Sequence, residues 1–147
     1  MAGGLVIAQY LAQLKEFDLA GSNEFENAEI AGIVAFIEDF VKEVMKVRFE
    51  SDATRKAELH KNMKENVFPR YLGKLNELAK KNGEFLWRTK RTWADLLVAN
   101  ILGMLLDNHK EFRATLETYP DLLKLHNTVE SLPNIAKWIK ERPVTEF

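Results

Sequence analysis

From Thr92 to Leu106 the chain reads as a helix-start signal followed by residues that are apolar nearly all round. Thr92 is placed to accept from a backbone N–H while Asp95 reaches back, a short-armed capping box. Leu96, Leu97, Val98, Ala99, Ile101, Leu102, Leu105 and Leu106 then leave no polar face. A helix of that kind has to be surrounded by other structure. Asn100 and Gly103 interrupt the stretch, and it falls short of the ~18–20 residues that span a bilayer. It is therefore predicted to be the central buried helix of a bundle.

The rest of the chain supplies helices to surround it. A short helix is predicted over about Leu5 to Leu14, ending before Asp18-Leu19-Ala20-Gly21. Ser22 or Asn23 caps a second, long one, with Glu24 and Glu26 in the first turn where the helix dipole favours them. Its apolar residues Ile30, Ile33, Val34, Ile37, Phe40, Val41, Val44 and Met45 follow helical spacing. Phe36 and Val47 widen that arc to roughly 180°, so burial against two neighbours is expected, one of them another subunit. Asp52 caps a third helix through about Lys81, kinked at Pro69, with Gly83 as its stop. Pro120 and Pro133 suit first helical positions, predicting helices Asp121–Leu132 and Asn134–Glu141, the last ended by Pro143. Strand alternation and hairpin turns are missing. The fold class is all-α, a bundle of about six helices in 147 residues with no internal linker.

Several function classes fall away on composition. Lys and Arg total 21 against 22 Asp and Glu, a net charge of −1. That balance gives neither the cationic surplus that nucleic-acid phosphates demand nor a polybasic membrane anchor. Cysteine is absent, which excludes disulfides, thiolate nucleophiles and Cys-ligated metals. The N-terminus has no basic region ahead of its short apolar run, so a soluble cytoplasmic protein is expected. The glycines form neither a P-loop nor a dinucleotide motif, and no serine sits in a nucleophile elbow. His60, His109 and His126 are far apart, and the first two are expected at the surface, with His126 half-buried. Arg88, Lys90 and Arg91 are either a solvated loop or a hold for an anion. Trp87, Trp93 and Trp138 suit packing better than base stacking, because no basic groove accompanies them. Glu38 and Asp39 fall on the polar side of the second helix. They are two solvated carboxylates, or a pair presented to a cationic ligand group or a hard divalent ion.

Three segments carry a resemblance. Thr92-Trp93-Ala94-Asp95 with its apolar helix resembles the capping-box region in the C-terminal domain of glutathione transferases. Leu132-Pro133-Asn134-Ile135-Ala136-Lys137-Trp138-Ile139-Lys140-Glu141-Arg142-Pro143 resembles the close of sigma-class members, prostaglandin D synthases among them. Ile7-Ala8-Gln9-Tyr10-Leu11-Ala12, then Asp18-Leu19-Ala20-Gly21, is similar to the last helix of their N-terminal domain and the linker after it.

The resemblance implies half of an enzyme. Residues 1–21 would be the end of a thioredoxin-like domain plus linker, and 22–147 the helical C-terminal domain. In the family, the thioredoxin-like domain holds glutathione and supplies the tyrosine that activates its thiol. Gly3-Gly4 stand where the family's glutathione-contacting Gln-Ser pair would be, and Tyr10 matches an ordinary helix position, so no catalytic residue is assigned here. Asp39 matches the acidic residue that reaches across the dimer to the glutathione amino group. Glu38 matches a second carboxylate, used for a divalent ion in the prostaglandin synthases. Ala35 departs from a third acidic position, and no metal is assigned. Met45, Lys46 and Phe49 would line the electrophile pocket, Lys46 standing where the synthases have an aromatic. No cofactor is implied, and glutathione enters as co-substrate only with a thioredoxin-like domain supplied. Expected partners are a second copy of the chain or such a domain. The alternative is a non-catalytic helical module for protein interaction or hydrophobic ligands.

Overall fold

The computed structural model describes residues 2–143, so the last four residues of the predicted helical domain lie outside the described residues. They form α1 (Ala2–Ala12), α2 (Glu24–Phe49), α3 (Ala53–Asn62), α4 (Phe68–Asn82), α5 (Trp93–Asn108), α6 (Phe112–Glu117), α7 (Pro120–Glu130) and α8 (Pro133–Glu141). No strand occurs among the described residues. The central helix is α5, which packs against α1, α2, α6 and α7. Val98, Ala99, Ile101, Leu102 and Leu105 on it are buried, and Asn100 is exposed.

Asn23, rather than Ser22, caps α2: its side chain accepts the Glu26 N–H at 3.0 Å. Glu26 in turn accepts the Ser22 N–H at 2.7 Å. That backbone donor, more than the nearby Arg88 guanidinium, holds the Glu26 carboxyl below the usual range. A Cβ on Gly21 would come within 2.5 Å of the Glu26 Cβ, so the chain enters α2 only over a bare glycine. The core stripe of α2 is Ile30, Val34, Ile37, Phe40, Val44 and Val47. Phe36 and Val47, read from sequence as facing a second neighbour, are accommodated inside this chain. Phe36 stacks on Tyr71 with ring centroids 4.8 Å apart, and Val47 is buried. Much of the wide apolar arc therefore serves α3, α4 and α5.

The third predicted helix is two helices joined by a π-helical turn, Met63–Val67. Pro69 has no N–H for the carbonyl four residues back. The turn before it widens, with the Phe68 N–H donating to the Met63 carbonyl. Gly83, at φ 88, ends α4 in the left-handed region that favours glycine. The short α6 has no sequence expectation behind it; its six residues show too little periodicity, and Phe112 and Leu116 anchor it from the core.

Candidate functional site

The Thr92–Asp95 box is wholly buried. Asp95 Oδ2 accepts the Thr92 N–H at 2.6 Å and its hydroxyl at 3.1 Å, while Oδ1 accepts the Leu86 N–H at 2.7 Å. One carboxylate thus starts α5 and fixes the preceding loop. Burial pushes the Asp95 carboxyl above the ordinary aspartate value, against the pull of those donors. The same loop is tied to α2 and to the segment after α1. Arg88, at φ 47, pairs with Glu26 at 2.7 Å and Glu29 at 3.0 Å and lies over the Trp87 ring. Lys90 pairs with Asp18 and donates to the Ala20 carbonyl. These two cations are internal ties, not an open anion hold.

Asp39 stands exposed on α2, and among the described residues it pairs only with Lys42 of its own helix, at 2.7 Å. That contact holds the Lys42 ammonium above its usual value. Glu38 is half-buried beside it. No group of three or more metal-capable side chains occurs among the described residues. Further along α2, Lys46 is exposed and paired with Glu43 at 2.7 Å, and Phe49 is 77% exposed. Met45 alone of the three pocket candidates turns inward, to a cavity of about 250 Å³ between α2, α3, α4, α5 and α6.

Two of the three histidines depart from their expected surroundings. His126 is buried rather than half-buried, with Nδ1 3.2 Å from the Ala99 carbonyl and Nε2 3.4 Å from Glu130. His60 is half-buried at the cavity. Sequence also gave no sign that Asn76 would cap α7, its Oδ1 accepting the Asp121 and Leu122 N–H groups at 2.9 and 3.0 Å. Pro120 brings no N–H of its own to that helix end, so the cap comes from 45 residues away. Uncovered apolar surface is concentrated on α1, where Val6, Ile7, Tyr10 and Leu11 form one exposed face.

Comparison with known proteins places this geometry in a family. The sequence profile of the glutathione S-transferase C-terminal domain matches residues 38–142. A glutathione S-transferase of Anopheles gambiae is 34% identical over 142 residues, covering 97% of this chain and 68% of that protein. The hematopoietic prostaglandin D synthase of Gallus gallus is also 34% identical, over 96% of this chain and 67% of its own length. Among solved structures, the prostaglandin synthase D of Nilaparvata lugens superposes with a TM-score of 0.86 at 32% identity, covering 96% of this chain and 68% of that one.

Proposed function

Because the chain belongs to the glutathione S-transferase family through its C-terminal domain, we propose that it is the helical half of a sigma-class-like transferase. In this reading it contributes the electrophile pocket and a dimer surface to glutathione conjugation in the cytoplasm, and has no conjugating activity by itself. The observation that carries the reading is Asp39. It stands on the outer face of α2, satisfied among the described residues only by the neighbouring Lys42, where a cation arriving from another subunit can displace that contact. The glutathione amino group is such a cation. Lys46 and Phe49 share the solvent side of α2 with it, and Met45 sits at the edge of the same turn, as a pocket shared with a second domain requires.

Residues 1–21 are read as the end of a thioredoxin-like domain. The exposed α1 face of Val6, Ile7, Tyr10 and Leu11 supports this, since contiguous apolar surface marks a covered interface. The test supplies a sigma-type thioredoxin-like domain to the chain and titrates glutathione. Asp39→Asn should weaken glutathione binding about three- to tenfold, the scale of a solvent-screened charge contact. Glu38→Gln should weaken it less; the reverse order would remove Asp39 from the role.

A second expectation concerns association. Exposed Phe25, half-buried Ile33 and the α1 face leave apolar surface uncovered in one copy. Sedimentation at tens of micromolar should show a dimer of the 147-residue chain. A monomer throughout that range would count against a dimer surface.

A further inference from the structure

The cavity shares only Met45 with the pocket of the transferase reading, and the rest of its α2 lining lies off that face. At 100° per residue, Val44 and Arg48 sit about 160° around α2 from Lys46. Its floor is apolar, built from Val44, Val47, Met63, Phe68, Leu105 and Phe112. Its charged lining is cationic on balance, Arg48, Lys56 and Lys64 being opposed by one carboxylate, Glu111, with His60, Asn108, His109 and Thr115 also at the wall. The Lys56 and Lys64 side chains make no hydrogen bond or ion pair among the described residues, whereas Glu111 has His109 at 4.0 Å. Met63 and Lys64, which line the cavity, belong to the π-turn. Such turns are frequent at functional sites.

An apolar floor under a cationic rim matches a ligand with an alkyl body and an anionic head. A dry cavity of ~150 Å³ accepts benzene, so about 250 Å³ admits about ten non-hydrogen atoms. We infer that this cavity is a binding site for a small free alkyl carboxylate, its chain among Val47, Met63 and Phe112 and its head at Lys56 and Lys64. Burying the chain supplies the attraction, and the two lysines set the preference for a negative head.

Octanoate, with ten non-hydrogen atoms, is the probe. Calorimetric titration of the 147-residue chain should show one saturable site with a dissociation constant below about 1 mM. Octanol and octylammonium should bind more weakly, and acetate should not saturate. Lys56→Gln with Lys64→Gln, the first half-buried and the second exposed, keeps both side-chain lengths and should weaken octanoate about three- to tenfold while leaving octanol unchanged. Thr115→Phe, which fills the space from α6, should abolish binding, while Lys46→Gln on the far face should not alter it. Equal affinity for octanol and octanoate, or sensitivity to Lys46→Gln but not to the lysine pair, would overturn the assignment. So would the absence of any saturable binding.

Discussion

Asp95→Ala is expected to cost about 3–5 kcal/mol of folding stability. The Leu86 and Thr92 N–H groups, both in fully buried residues, would lose their acceptor. A buried donor left unpaired costs ~1–3 kcal/mol. Thr92→Ala removes the 3.1 Å hydroxyl contact to the same carboxylate and the N-cap half of the box, and should cost about 1–2 kcal/mol. Against a total of ~5–15 kcal/mol for a domain, the first change threatens folding and the second does not. Urea unfolding measures both. A loss below about 1 kcal/mol for Asp95→Ala would mean that the loop and α5 do not depend on this carboxylate.

The same residue gives the stability curve a sign. A carboxyl whose value is raised by folding binds its proton more tightly in the folded chain. Its stabilising contribution is therefore complete below the ordinary aspartate range and falls as pH climbs through the folded value. Asp95→Asn has no such titration, so its deficit against the wild type should widen as pH drops from 7 toward 4.

Where sequence and structure agree, the signal was local. The capping dyad at Thr92 and Asp95, the caps Asn23 and Asp52, the stop at Gly83 and the prolines at 120 and 133 all act within a few residues of themselves. Periodicity likewise picked out the core stripe of α2. What remained hidden is long-range. Nothing in the neighbourhood of Asn76 announces a cap for α7, and nothing around Leu86 shows that its N–H ends on Asp95. The ties from Arg88 to Glu26 and Glu29 span about sixty residues, so a cationic loop read from sequence had no visible partner. Phe36 shows the same limit: its contact with Tyr71 lies 35 positions away, and a wide apolar arc does not say which surface covers it. The cavity depends on five helices and a π-turn meeting, which no one-dimensional pattern records.

The 147-residue chain by itself is expected to give no glutathione conjugation above the uncatalysed rate. A free thiol has a pKa near ~8.5, so conjugation at neutral pH needs a donor that stabilises the thiolate next to the electrophile. Three tyrosines are present, and each has other surroundings. Tyr71 stacks between Phe36 and Phe40, and burial pushes the half-buried Tyr119 hydroxyl above its ordinary value, away from thiol activation. Tyr10 lies on the exposed apolar face of α1. In the proposed reading Asp39 would grip glutathione at its amino end, far from the sulphur. Holding a remote group lowers the barrier only when the reacting centre is positioned as well. With a sigma-type thioredoxin-like domain supplied, the α1 face gains its cover and activity should appear. A chromogenic electrophile assay decides between the outcomes. Robust turnover by the purified chain would show that the thiolate is stabilised within these residues and would end the half-enzyme reading.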